Sequence, residues 1–231
     1  MDETAASLAT YLLERLQSLP SERRLLVGVC GIPASGKTTL TLNIVKKLNL
    51  SEDGIAVCVG LDGWHFSREE LNKFENVKEA YDRRGAAFTF DAASYVHFVT
   101  KLRQSPYSNV TPPPQTSFLY APTFDHALKD PVPNGLTILP SHRIVLIEGL
   151  YAFTNTPEWR PASETLDERW LVEVDISEAT RRLVQRHVTT GVTGDLDEAK
   201  WRAENNDTPS KPCIAPTGDV KRSFRWLMAT K

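Results

Sequence analysis

Apolar positions along the chain fall into two patterns. Mostly apolar runs occur at Leu25-Leu26-Val27-Gly28-Val29-Cys30, at Ile55-Ala56-Val57-Cys58-Val59-Gly60-Leu61, from Arg143 to Ile147 and from Trp170 to Val174. Short runs of this kind predict strands buried on both faces. Elsewhere apolar residues recur at helical spacing. Leu8, Leu12, Leu16 and Leu19 predict an amphipathic helix over residues 4–19, stopped at Pro20-Ser21. Leu40, Ile44, Val45 and Leu48 predict a second helix after the first strand. Residues 67–82 read as a polar helix, Phe90 to Leu102 as a helix capped near Asp91, and Glu178 to about Thr189 as another. Strands alternating with helices predict one α/β domain, a parallel sheet with helices on both faces. Prolines cluster in residues 105–123, which predicts an exposed loop inserted into that domain rather than a boundary.

Composition narrows the picture. The chain has 231 residues, enough for one domain with a large core, and 41% apolar with 24% charged residues is an ordinary globular composition. A net charge of −2 leaves no basic excess to suggest nucleic acid as a partner. Three cysteines show no metal-ligand spacing and no disulfide framework, which fits a reducing compartment. The acidic start Met1-Asp2-Glu3 argues against a signal or targeting peptide, and no apolar run is long enough to span a membrane. A cytoplasmic location is expected, with no membrane partner.

The most specific chemistry lies at Gly31-Ile32-Pro33-Ala34-Ser35-Gly36-Lys37-Thr38, which fits the P-loop pattern G-x-x-x-x-G-K-[ST] between a strand and a helix. Glycines let the backbone fold round phosphate oxygens with N–H groups inward, and the following helix adds the positive end of its dipole. Gly31, Ala34, Ser35, Gly36, Lys37, Thr38 and Thr39 are the expected nucleotide-binding residues, with Lys37 at the β/γ-phosphates and the Thr38 hydroxyl on Mg²⁺.

In parallel sheets ligands bind beyond the C-terminal ends of the strands. Asp62 follows the second strand and is the candidate general base for an acceptor hydroxyl. Glu148 follows the third, in a Walker B-like position suited to Mg²⁺. The sequence leaves those two roles exchangeable. Arg182 and Arg186 share a helix face, with Arg181 and His187 nearby, and Gly191 to Gly194 offers a hinge. The arrangement suits a helical lid over residues 178–200 that stabilises the transferred phosphoryl, or a solvated basic face. Arg83 and Arg84 either contact acceptor or phosphate or cover surface. Phe124 and His126 are candidates for an acceptor pocket, and Trp64 and His65 either line it or pack.

Together these motifs resemble the P-loop kinase superfamily of uridine kinase, phosphoribulokinase and bacterial-type pantothenate kinase. Within it the chain looks most like the uridine kinase-like and fructose-transport-kinase-like branch. The resemblance rests on Gly31 to Thr38, Leu61-Asp62-Gly63-Trp64-His65, Arg83-Arg84-Gly85, Thr89-Phe90-Asp91, Ala121 to His126, Ile147-Glu148-Gly149-Leu150-Tyr151, Arg182 to His187 and Glu204-Asn205-Asn206-Asp207. It covers about residues 23–212. It implies a P-loop kinase fold with a lid, and ATP·Mg²⁺-dependent phosphorylation of a hydroxyl on a nucleoside, pantothenate-like alcohol or sugar. By that resemblance Asp62 is the base, Glu148 and Thr38 hold the metal, Lys37 meets phosphate, and Arg182 and Arg186 form the lid. The acceptor is the expected small-molecule partner, and a homodimer is an open option. The chain departs from the family at its C-terminus, where Ser223-Phe224-Arg225-Trp226-Leu227-Met228 stands in place of a final apolar strand.

Two other readings compete. A nucleotide-switch GTPase would need an Asn-Lys-x-Asp element, and Asn72-Lys73-Phe74-Glu75 is a poor match. A catalytically weak nucleotide-binding or regulatory protein of the same fold is the alternative to an enzyme.

Overall fold

The computed structural model describes residues 2–104, 118–189 and 222–225, the side chains of 186–189 and 222–225 excepted. The apolar runs form β1 (Leu25–Cys30), β2 (Ala56–Gly60), β5 (Ile144–Glu148) and β6 (Glu168–Glu173). Between and around them lie α1 (Asp2–Gln17), α2 (Lys37–Ser51), α5 (Ala92–Arg103), α6 (Arg160–Thr165) and α7 (Ile176–Thr189). The main sheet has the order β2-β5-β1-β6-β7, with every neighbouring pair parallel and β7 formed by Arg222–Arg225.

The apolar runs follow from burial on both faces. Leu26, Val57, Val59, Val145 and Ile147 point to one core, with Trp64, Tyr95, Phe98, Val99, Leu102, Tyr151 and Trp159. Leu25, Val27, Val29, Ile144, Leu146 and Trp170 point to the other, with Ala5, Leu8, Ala9 and Leu12 of α1 and Leu40, Ile44 and Leu48 of α2. Successive strand residues therefore alternate between two apolar layers, and neither face needs polar positions. α1 is held further through Glu168, a buried carboxylate that accepts from the Tyr11 hydroxyl at 3.0 Å.

Several elements differ from the sequence reading. The polar helix expected over residues 67–82 is two short ones, α3 (Arg68–Leu71) and α4 (Val77–Asp82). Ser67 and Glu70 form a capping box at the first, and the Asn76 side chain caps the second by accepting from the Glu79 amide. Strong local caps split the segment. The stretch expected to be loop over residues 105–123 contains the start of a hairpin, β3 (Leu119–Asp125) against β4 (Asp130–Ile138), antiparallel. Pro122 falls at a register shift between Ala121 and Thr123, so its missing N–H interrupts no ladder bond there. The C-terminal segment does supply a fifth strand. β7 pairs through its backbone with Trp170 to Glu173, which requires no apolar pattern. Among the described residues no helix is long and apolar enough to cross a membrane.

Candidate active site

β1 runs straight into the phosphate-loop motif. Gly36 has φ 90 and caps α2 without any side-chain hydrogen bond, and Ala34 has φ 60. The left-handed turn at Gly36 suits a residue without Cβ. It leaves the first amides of α2 uncapped by any side chain, the arrangement that binds anions at helix starts. Leu40 N donates back to Gly36 O at 3.0 Å, so the helix begins at the loop itself. Ser35 Oγ is buried and lacks a partner. Lys37 opens α2, followed by Thr38 and Thr39, both exposed.

The carboxylates sit on the neighbouring strand ends. β5 lies between β1 and β2, and Glu148 pairs with Val29 on one side and Gly60 on the other. Its Oε1 accepts from Thr38 Oγ1 at 3.0 Å, and its Oε2 is buried without a partner. Burial raises the Glu148 pKa above the usual carboxylate range; Lys37 opposes this, Asp62 adds to it, and the Thr38 bond opposes it. Asp62 lies two residues beyond Gly60, exposed, in a 3-10 turn over Leu61–Trp64. The phosphate loop, Glu148 and Asp62 therefore converge at three adjacent strand ends. Cys58 on β2 is no nucleophile here, because burial, with Glu148 adding to it, pushes its thiol up to about 12.

The hairpin lies over the turn that carries Asp62. A Cβ on Gly63 would come within 2.2 Å of Pro122 O, so only glycine permits this approach. His65 sits where the two meet, with ring centroids 3.9 Å from Phe90 and 5.1 Å from Phe124. Its Nδ1 is 2.9 Å from Asp62 O, and burial lowers its pKa. A carbonyl oxygen only accepts, so Nδ1 carries the proton and the neutral ring presents Nε2 as an acceptor. Arg84 ties the hairpin down. Its Nη2 donates to Phe66 O at 3.0 Å and Asp130 Oδ1 at 2.8 Å, and its guanidinium lies 5.6 Å from the Phe124 ring centroid. Asp130 also accepts from the Arg68 amide at 2.9 Å and Arg68 Nε at 3.3 Å.

Not every expected contact residue reaches this cleft. Trp64 is buried in the core against Tyr95 and Phe98, at 5.4 and 5.0 Å between centroids. Of the two roles left open for it, the buried ring takes packing, which corrects the pocket-lining expectation. Arg83 is exposed, 3.5 Å from Glu79 and 5.5 Å from the Phe88 ring centroid, in the surface-covering arrangement. His126 is exposed beside Phe124 at 5.3 Å. On α7, Arg182 Nε donates to Glu178 Oε1 at 2.7 Å, and Arg181 grips the same carboxylate. Hydrogen bonds from Arg181, then Arg182, hold Glu178 down at about 2. The backbone of Arg186 continues α7, but its side chain lies outside the described residues, as does the Gly191 to Gly194 turn. Sequence reasoning missed Asp130, whose signal is its place at the turn of a hairpin disguised by prolines. It also missed Glu178 as a partner of the arginines, although their helical spacing was visible.

The comparisons with known proteins agree with this fold. Residues 26–190 match the model of the phosphoribulokinase / uridine kinase family. A Schizosaccharomyces pombe relative, provisionally named a uridine kinase, is 35% identical over 193 residues, covering 83% of this chain and 78% of its own length. The Aspergillus versicolor ATP-dependent kinase-like protein notR' is 41% identical over 147 residues, 64% of this chain and 82% of that one. The solved structure of a Silicibacter protein, provisionally described as a fructose transport system kinase, superposes with a TM-score of 0.76 at 26% identity, covering 95% of this chain and 98% of that one. Saccharomyces cerevisiae YFH7 superposes with a TM-score of 0.80 at 19% identity, covering 98% and 99%, which is a likeness of fold. The chain belongs to the phosphoribulokinase / uridine kinase family of P-loop kinases.

Proposed function

We propose that this protein transfers the γ-phosphoryl group of ATP to a hydroxyl of a small metabolite, with Mg²⁺. The observation that carries the reading is the convergence of the phosphate loop, Glu148 and Asp62 on adjacent parallel strand ends, with Glu148 Oε2 buried and unpartnered. Glycine-turned backbone and uncapped α2 amides cradle the phosphates, and Lys37 reaches the β/γ-phosphates. The donors fit Mg²⁺, since Thr38 and Glu148 offer hard oxygens and the orphaned carboxylate oxygen lacks a counter-charge. Mg²⁺ bound there with ATP neutralises phosphate charge.

Asp62, exposed at the end of its strand, takes the proton of the acceptor hydroxyl as the new O–P bond forms and ADP leaves. Arg182 and Arg186 stabilise the charge spread over the transferring group. On the acceptor side His65, Phe124 and the tethered Arg84 give an aromatic, hydrogen-bonding wall. Such a wall favours a ring-bearing acceptor with a donor for His65 Nε2, so nucleosides head the candidates, before sugars and pantothenate-like alcohols.

ADP release from MgATP across a panel of those three acceptor classes tests the proposal. Acceptor-dependent release with at least one class is expected. MgATP binding without stimulation by any acceptor would instead favour a regulatory nucleotide-binding protein.

A further inference from the structure

α7 starts beside the phosphate loop. Leu171 of β6 pairs with Cys30, the residue before that loop, and α7 begins shortly after β6 ends. Asp175 fixes the first turn by accepting from the Ser177 amide at 2.8 Å. Ala179 and Leu183 are buried and seat the helix. Glu178 therefore lies in the first turn of a helix that follows β6, the strand parallel to and beside the one that ends in the phosphate loop.

Three guanidinium nitrogens converge on its carboxylate. Arg181 donates through Nε and Nη2, both at 2.8 Å, in a two-point fork. Arg182 donates through Nε at 2.7 Å. The Arg182 side chain is only 17% exposed, and its Nη2 is buried with no partner. A buried guanidinium N–H left without an acceptor is unfavourable, and such a group calls for an explanation. Holding Nε sets the plane of the whole guanidinium, because that group is rigid. The unpartnered Nη2 is then held in one plane before any ligand arrives. Arg181 neutralises Glu178, so the carboxylate adds little repulsion toward an incoming phosphate.

Building on the kinase reading above, we infer that Glu178 is a positioning residue for phosphoryl transfer. It holds Arg182 by Nε so that Nη2 is presented to the phosphoryl group between donor and acceptor. The contact belongs to the transition state more than to bound nucleotide. A plain helix-surface ion pair would affect only helix stability, by a small amount.

The probe is MgADP with and without fluoroaluminate, which imitates the transferring phosphoryl and needs no identified acceptor. Calorimetry on the full chain gives both affinities for wild type, Glu178→Ala, Glu178→Gln, Arg182→Ala and the double Ala variant, with a thermal melt of each. Arg182→Ala and Glu178→Ala should each weaken the fluoroaluminate complex by about tenfold or more, with MgADP affinity within about twofold. The double variant should be no weaker than Arg182→Ala alone, because Glu178 acts through that arginine. Glu178→Gln, which still accepts from Nε, should lose only about threefold. Normal fluoroaluminate binding in both Glu178 variants, with loss in Arg182→Ala, would overturn the positioning role and leave the lid role standing. If Glu178→Ala melts early, Glu178→Gln decides: wild-type binding overturns the inference. No fluoroaluminate tightening in the wild type, or none lost in Arg182→Ala, would contradict the kinase or lid reading itself.

Discussion

Thr38 and Glu148, 110 residues apart in sequence, meet at 3.0 Å where the phosphate loop turns into α2 beside the end of β5. The bond satisfies one carboxylate oxygen and leaves the other buried without a partner. A buried carboxylate oxygen without a partner is costly in the ligand-free fold, and the proposed Mg²⁺ site would relieve that cost.

That cost has a sign. Burial first, and then Asp62, raise the Glu148 pKa against Lys37 and Thr38. A folded pKa above the unfolded value means the native state binds the proton more readily, so its stability contribution is present at low pH and lost as pH rises through the folded pKa. At neutral pH the ionised group is a local cost. Glu148→Gln should leave the ligand-free Tm at about pH 7.5 unchanged or raised by about 2–4 °C. It should also remove most of the extra stabilisation given by Mg²⁺ with ADP. Melts with ADP alone and with MgADP read both effects. A ligand-free Tm several degrees lower would make Glu148 a structural anchor.

His65 carries the opposite sign. Its folded pKa lies below the ordinary 6.5, chiefly through burial, so its contribution holds above 6.5 and is lost as pH falls through that value toward the folded pKa. Protonation also removes the Nε2 acceptor. The acceptor KM should rise as pH falls from about 8 to about 5.5 while the ATP KM changes little. His65→Phe should raise the acceptor KM at high pH and flatten its pH dependence. His142, also lowered by burial, is unchanged in both proteins and serves as an internal control. An equally steep profile in His65→Phe would remove His65 from the acceptor site.

Arg84 joins three elements through Phe66 O, Lys129 O and Asp130. Its side chain is 14% exposed, so little solvent screens these bonds. Arg84→Ala should cost about 1–3 kcal/mol of stability, the range for buried charge-assisted hydrogen bonds. The released hairpin should raise the acceptor KM by about tenfold and leave the ATP KM within about twofold. Steady-state kinetics with each substrate varied separates the two. An unchanged acceptor KM would confine Arg84 to folding.

Gly63→Ala addresses the same hairpin from below. The added methyl would meet Pro122 O at 2.2 Å, so the hairpin must shift. Overpacking of this kind costs about 1–3 kcal/mol. Amide exchange should quicken in β3 and β4 while MgADP affinity stays near wild type. Unchanged protection of the hairpin amides would show that the close approach is not what seats it.

Much of this architecture was legible in the sequence, because strands buried on both faces leave unbroken apolar runs. Leu25 to Cys30 and Ile144 to Ile147 read correctly for that reason. So did the order phosphate loop, Asp62, Glu148, since each polar group ends such a run. The hairpin was hidden by Pro122, Pro131 and Pro133, which mark loops in most settings but are tolerated at a register shift and on an unpaired edge. β7 was hidden because Arg222–Arg225 carries no apolar run, and the backbone pairing it makes with β6 needs none. Trp64 misled because adjacency to Asp62 in sequence says nothing of burial; the same 3-10 turn exposes Asp62 and buries Trp64. Asp130 and Glu178 act through partners on other segments or on the next helical turn, and charge alone does not announce that.

On the proposed reading, Asp62 assists phosphoryl transfer to an acceptor hydroxyl. The most direct test follows label from γ-labelled MgATP into the best acceptor of the panel, at saturating concentrations, in wild type and Asp62→Asn. Wild type should place the label on the acceptor, and Asp62→Asn should lower that rate by about two to four orders of magnitude, the range for loss of a general base, with MgATP affinity nearly unchanged. Label released only as free phosphate, or an Asp62→Asn rate close to wild type, would contradict it.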